Sequence, residues 1–542
     1  MPTEDPQRPA DHAEPVDEGV APSTAHPDSP PRVSRRSVLG AALGAAALSL
    51  GRARAAEPAM SHGTAAMPTS APVAMPSVAP VDAGPLIEPA IRQSANGQLV
   101  TELNVRYAWR NVGGYKLHLR TYEGTICGPT LRARPGDTLR IRLVNALPPN
   151  RDAQPADHNL PNRFNTTNLH VHGLHVSPDG IADNVMREME PGESYDIEIP
   201  IPKTHTAGTY WYHPHRHGSA NVQIASGMAG AIILEGDFAD VREIAAARER
   251  VLILGQLAFD AHGTCESFDT VWPMQAARLF TVNGQLRPTI TMRPGEVQRW
   301  RIIHAGFHDY TPIGLDGHVL HEIACDGIAL PAVRTQQSIL VVPGQRTDVL
   351  VQAGAPGTYA LRSLAYNQGE GDNRIWVLAN VVIAGEPRPM RLPAALPASP
   401  MKAIRTEELT ATRRVTFSAK EPATGGDDFR EFRFLVDGRR FDHHRIDHRI
   451  PLGAVEEWEI VNEHHADHPF HIHTNPFMVT RIDDVALADP LWRDTVNVPG
   501  GSRVTMRTRF EDYTGRFVLH CHIFNHEEIG MMQQVEVYKP ST

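Results

Sequence analysis

The sequence predicts an all-β chain of three consecutive β-sandwich domains, on three observations. Proline and glycine are plentiful, at 45 and 42 of 542 residues, which suits turn-rich β structure. Long amphipathic helical runs are scarce. A two-part motif also recurs three times at intervals of about 160 residues, the mark of tandem homologous domains.

The elements follow in chain order. Residues 1–31 are acidic and proline-rich, a composition that buries too little apolar surface to fold. "SRRSVLGAALGAAALSLGRARAA" comes next, with paired Arg35 and Arg36, a short apolar run from Val38 to Leu50, and small residues around Ala53 and Ala55. Residues 1–56 therefore read as a twin-arginine-type signal segment with a long acidic leader. Its apolar run is too short for a permanent membrane span. An exported protein is expected, periplasmic, cell-surface or extracellular. Residues 57–85 read as a flexible linker, with Met60, His62, Met67 and Met75 solvated in it.

The first half of the motif reads "GPTLRARPGDTLRIRLVNAL", "RPTITMRPGEVQRWRIIHAG" and "DHRIPLGAVEEWEIVNEHHA", aligned on Gly136, Gly295 and Gly453. Each copy places a tight glycine turn before an alternating strand such as Leu139, Ile141 and Leu143. The second half reads "PGESYDIEI…AGTYWYHPH", "PGQRTDVLV…PGTYALRSL" and "PGGSRVTMR…TGRFVLHCH". It is a turn, a strand, a short loop and a strand opened by glycine. Domains are expected at 86–237, 245–388 and 405–540, with proline-rich residues 385–403 joining the last two. His213 of the first copy aligns with Arg362 of the second and His520 of the third. The middle domain therefore reads as a spacer or substrate wall.

The formal net charge of −10 lacks the basic footprint of a nucleic-acid-binding protein. In an exported protein two of Cys127, Cys265 and Cys325 could pair, although the three cannot all pair within one chain.

The 28 histidines are the unusual feature. HxH occurs at His170/His172, His213/His215, His471/His473 and His520/His522. Residues i and i+2 of a strand share a face, so each pair presents two imidazoles together. Eight imidazoles exceed the needs of one ion. Neutral imidazole suits Cu, Zn, Fe and Ni, and a closed four-coordinate zinc site explains so many poorly. A cluster of several ions between the first and third domains is predicted. Cys521 alternates to the other face, where His468, His526 and Met531 can meet it. One thiolate, two imidazoles and a weak axial methionine make an electron-transfer copper set. The backbone of residues 520–522 then bridges that copper and the cluster.

Together "HVHG", "HPH", "HPFHIH" and "HCHIFNHEEIGM" resemble the copper motifs of three-domain multicopper oxidases of the bacterial, laccase-like type, over about residues 86–540. The resemblance implies cupredoxin-like Greek-key sandwiches and four coppers per chain. His468, Cys521, His526 and axial Met531 would hold the type 1 copper, and His170 and His471 the type 2 copper. His172, His213, His215, His473, His520 and His522 would hold the paired type 3 coppers. The implied reaction takes single electrons from phenolic or aromatic donors and reduces O2 to water. Cu(I) or other metal ions are the alternative donors, although no long Met-rich insertion shields the type 1 site. A copper-binding or cell-envelope scaffold without oxidase activity is the alternative of another class; a copper nitrite reductase would need far fewer histidines.

Asp183, in "GIADN", and Glu527 resemble the family's proton-relay acids. Their plainer readings are a turn residue and a solvated strand-end charge. Val171 stands where many relatives have Trp, on the face away from the ligands. His175 and His217 are expected to be neighbours of the site or surface groups. His443, His444, His464 and His465 are expected to be exposed. Asp467 reads as a solvated loop acid or a group orienting a phenol.

Overall fold

The computed structural model describes residues 81–272, 278–370, 375–423 and 425–541. The signal segment and all of the linker before residue 81 lie outside the described residues.

The described chain is built from six sheets, and each consecutive pair draws its strands from one stretch of sequence. Strands between Ile91 and Leu234 form the first pair, those between Arg248 and Ile383 the second, and those between Ala411 and Tyr538 the third. Each pair closes over its own apolar core. Leu139, Ile141 and Leu143 bury the alternating side of Thr138–Asn145, and Trp300 and Trp458 occupy the same role in the next two copies.

The repeat seen in sequence is a repeat of strand pairing. Thr138–Asn145, Val297–Ala305 and Ala454–Asn462 run parallel to Gln98–Val112, Arg248–Ala258 and Ala411–Lys420, respectively. Each is antiparallel to the strand that begins the second half of the motif. The turn glycines sit in the left-handed region, with φ of +96° at Gly136, +76° at Gly295 and +93° at Gly453, which a β-carbon would oppose.

In each outer sandwich the two HxH motifs lie on adjacent antiparallel strands. His170–His172 pairs with Gly208–His213, placing His170 opposite His213. His468–Ile472 pairs with Gly515–Cys521, placing His471 opposite His520. The matching strands of the middle sandwich pair Gly314 with Arg362. Among the described residues no helix is long and apolar enough to cross a membrane. All four cysteines are buried and free.

Candidate metal centre

Only His170/His172 lies wholly within a strand. The other three pairs straddle strand ends. His213 closes its strand and His215 follows Pro214, whose ring cannot donate to a ladder. His473 lies beyond Ile472, just before Thr474 at φ +67°. His522 lies one residue past its strand, its N–H donating to the Pro469 carbonyl at 2.8 Å. Within each pair the two rings stay side by side, with centres 5.1 to 5.6 Å apart, as strand alternation predicts, and each pair is nevertheless shared between two groups.

Those groups are His172, His213 and His522; His215, His473 and His520; and His170 and His471 with His172 beside them. Each HxH motif contributes one residue to each of two groups, so four strand ends tie three groups together. All eight imidazoles are buried. In the second group the Nε2 atoms of His215, His473 and His520 form a triangle with sides of 3.1, 3.1 and 3.3 Å. His172 Nδ1 lies 3.2 Å from His522 Nε2. Nε2 of His170, His213 and His471 has no hydrogen-bond partner.

This donor set fits metal. Two nitrogens each about 2.0–2.1 Å from a tetrahedral ion lie about 3.3 Å apart, close to the spacings observed. Burial and the neighbouring imidazoles push His170, His172, His471, His473 and His522 well below the ordinary histidine pKa, so they stand as neutral ligands. Their outer nitrogens are fixed from behind: His170 Nδ1 by Asp183 at 3.0 Å, His213 Nδ1 by the Pro214 carbonyl at 2.9 Å, and His471 Nδ1 by the Asp494 carbonyl at 2.7 Å. Such partners set the tautomer that presents the free nitrogen.

The second centre lies inside the third sandwich. Cys521 is packed in its core, on the face opposite His520 and His522. Its Sγ lies 3.4 Å from His468 Nδ1 and 3.7 Å from His526 Nδ1, and those two nitrogens are 3.1 Å apart. Burial pushes the Cys521 thiol well above its ordinary pKa, so a thiolate there needs a cation beside it, as a metal provides. Met531 is fully buried in the same core, and its backbone bonds both Cys521 and His526. Phe434 stacks on His526 with ring centres 3.9 Å apart.

The two candidate acids are both buried. Asp183 accepts from Val171 N–H at 3.0 Å, and burial raises its pKa to about 8. Glu527 is not a solvated strand-end charge; it sits in the short helix Phe524–Glu528 with no exposure. Its carboxylate is 3.0 Å from His520 Nδ1 and 3.6 Å from His215 Nδ1. Burial alone would raise its pKa, but the His520 and His215 imidazoles outweigh burial and hold it at about 2. Val171 is buried in the first sandwich's core, away from the ligands.

Two other expectations need correction. His464 is buried rather than exposed, with Nδ1 3.1 Å from His468 Nε2 and Nε2 3.2 Å from Glu421. Asp467 is neither solvated nor open to a donor. It accepts from Tyr366 at 2.7 Å, Asn497 at 2.9 Å and Gly500 N–H at 3.0 Å, tying two loops and the strand Thr495–Val498 together beside His468.

The sequence reading missed the groups that hold these sites from the middle sandwich. Arg346 donates to both oxygens of Asp494, at 2.7 and 2.5 Å, and Asp494 in turn meets His172 Nε2 at 3.1 Å. Glu370 lies across the outer edge of His526, with Oε1 3.4 Å from Nε2, while its Oε2 is 3.1 Å from His308 Nε2. Burial would raise the Glu370 pKa, but His308 and His526 hold it well below the usual range.

Comparison with known proteins accords with this geometry. Family models described as multicopper oxidase match residues 157–238, 241–379 and 410–541. The chain is similar to a laccase of Bacillus stratosphericus, 26% identical over 472 residues, covering 77% of this chain and 90% of that protein. It is also similar to the cell division protein FtsP of Salmonella typhimurium, 24% identical over 430 residues, covering 77% and 84%. Among solved structures, the multicopper oxidase from Campylobacter jejuni, titled a metallo-oxidase, superposes with a TM-score of 0.71. It is 25% identical and the match covers 84% of this chain and 96% of that one. With more than half of its length matched by that family's models, the chain belongs to the multicopper oxidases, as a laccase-like, copper-dependent oxidoreductase that uses oxygen.

Proposed function

We propose that this oxidase takes single electrons from phenolic and aromatic donors at a type 1 copper and reduces O2 to water at a trinuclear copper cluster. His468, Cys521, His526 and Met531 would hold the type 1 copper. His170 and His471 would hold type 2, and His172, His213, His522 and His215, His473, His520 the two type 3 coppers. When bound, the four coppers supply one-electron redox chemistry, storing electrons so that O2 receives four without releasing peroxide. The observation that carries this reading is the pair of buried ligand sets joined by His520, Cys521 and His522. Among the described residues no other arrangement links a thiol centre to an imidazole cluster through consecutive residues.

The protein's own groups then have definite tasks. Burial excludes bulk water from both sites, so protons must be carried in. Asp183, with a pKa of about 8, can hold a proton near neutrality beside the cluster. Glu527 stays ionised between His215 and His520 and is the acceptor on the opposite side of the cluster. Asp494 and the Pro214 carbonyl keep His172, His471 and His213 in the tautomers that ligation requires. Arg35 and Arg36 would direct export of the folded protein, and changing both to Lys should leave it inside the cell.

The type 1 assignment is tested by Cys521→Ser in copper-loaded protein. Loss of the blue absorption and of donor oxidation, with cluster copper retained, is expected. A persisting blue band, or loss of all copper, would contradict it.

Metal-ion donors are the second reading. The ionised Glu370 beside His308 and the His526 edge favours it, since a carboxylate there attracts a cation. The similar Campylobacter jejuni protein is titled a metallo-oxidase. Phenol turnover that depends strictly on added Cu(II) would favour this second reading over the first.

A further inference from the structure

We propose that His158, His443 and His444 form a surface site for one borderline divalent ion, bound through imidazole nitrogen and separate from the buried centres. Zn(II) and Cu(II) are the ions whose chemistry fits. The three residues come from two loops far apart in sequence. One precedes the strand His170–His172 of the first sandwich, and the other precedes His448–Pro451 of the third.

The rings converge across that junction. His158 and His443 meet edge-on with ring centres 4.5 Å apart, and His443 and His444 lie 3.9 Å apart. In the buried groups, rings directed at one point are 4.6 Å apart for His215 and His473 and 4.9 Å for His215 and His520. Both surface ring pairs, which share His443, are closer than these. All three side chains are exposed, so the imidazoles can turn their nitrogens inward without disturbing a core.

The junction is held in place by the residues on either side. Arg440 pairs with both oxygens of Asp157, at 2.8 and 3.1 Å. Asn159 Nδ2 donates to the Phe441 carbonyl at 3.0 Å in a buried setting. These contacts flank His158 on one loop and precede His443 on the other. The fold has already met much of the cost of bringing the three ligands together. Asp442 and Glu188 lie close enough to His443 to supply negative charge. Desolvation and the imidazoles of His444 and His158 lower the His443 pKa, which favours the neutral, metal-binding form. Because the ligands belong to two sandwiches, an ion bound there cross-links them and stabilises the folded form by mass action.

The test uses full-length, copper-loaded protein titrated calorimetrically with Zn(II) alone. The wild type is compared with His158→Ala/His443→Ala, His444→Ala, and His262→Ala as an exposed control. Wild type and His262→Ala should bind one more Zn(II) per chain than the double variant. His444→Ala should weaken that binding by at least about tenfold, the low end for losing even a ligand's supporting partner. Zn(II) should raise the unfolding temperature of wild type and His262→Ala more than that of the double variant. Copper content and type 1 absorbance should be the same in all four. Equal Zn(II) uptake by wild type and the double variant, or an equal loss in His262→Ala, would overturn the site.

Discussion

The buried histidines make the copper-free protein acid-labile, by an amount that can be worked out. Burial holds His215, His304 and His526 at a pKa of about 4, against an ordinary 6.5. The folded protein keeps them neutral while the unfolded chain protonates them. Stability is therefore lost as pH falls below about 6.5, and the loss levels off below about 4. Each costs about 2 kcal/mol between pH 8 and pH 5, and the three together about 6 kcal/mol. Burial pushes His170, His172, His213, His468, His471, His473 and His522 lower still, helped by neighbouring imidazoles, so each costs no less.

Raised carboxyls oppose this, Asp183 and Glu528 most strongly, with Asp494 at about 6 and Glu322 adding to them. Burial raises Asp183 and Glu528 to about 8, so both are protonated in the folded state as pH falls and regain about 3–4 kcal/mol each over that range. The imidazoles outnumber them, and the excess is comparable to a typical total stability of about 5–15 kcal/mol. The assay is guanidinium unfolding of chelator-stripped protein, followed by circular dichroism at pH 8 and pH 5. The midpoint should fall sharply at pH 5. Copper-loaded protein should hold its midpoint further down the pH scale, until protons compete for the ligands. A copper-free midpoint that is unchanged or higher at pH 5 would refute the claim that these imidazoles are buried and neutral.

Three other changes probe the sites from outside the ligand set. Arg346→Met leaves Asp494 as an unpaired buried carboxylate and should cost about 3–5 kcal/mol, read as a lower unfolding midpoint; adding Asp494→Asn should restore part of it, and no restoration would mean that the pair is not what was lost. Glu370→Gln keeps shape but removes a charge worth about 4 kcal/mol to a cation about 4 Å away. Type 1 absorbance should persist while kcat/KM for cationic donors falls at least about tenfold more than for neutral phenols; an equal fall for both would remove Glu370 from donor selection. Val171→Trp should overpack the first sandwich and cost about 1–3 kcal/mol with copper content unchanged, whereas loss of cluster copper would show that this side chain faces the ligands.

The three-sandwich plan and the clustering of the HxH and HCH residues were legible in sequence because both rest on local periodicity. A glycine at positive φ before an alternating strand reads the same in all three copies, and HxH carries its own period of two. What strand alternation could not show was where each strand ends. Pro214 takes His215 out of the ladder, and the turn at Thr474 does the same for His473, so neighbouring imidazoles of one motif serve different groups. His464 and Asp467 were misread for a related reason. Each lies in a loop whose burial depends on packing against distant segments, and no local pattern reports that. Glu370, Arg346 and Asp494 carry no motif, and their roles depend on contacts between sandwiches.

Those contacts change what the middle sandwich is for. Its lack of copper ligands suggested a spacer or substrate wall, yet it meets both centres directly. Gly344, at φ +89°, approaches His522 so closely that a β-carbon would lie 2.7 Å from the ring, and so the cluster's wall admits only glycine there. Arg346 fixes the acid behind His172 and His471. Glu370 lies across the outer edge of His526. The outer sandwiches thus carry the candidate ligands, and the middle one supplies groups that touch both ligand sets. Donor preference can therefore change at Glu370 and His308 without touching a ligand, whereas changes at Arg346 or Gly344 bear on the cluster's ligands. On this division, the divergence among relatives in donor use should concentrate in the middle sandwich's contact residues and leave the HxH and HCH positions intact.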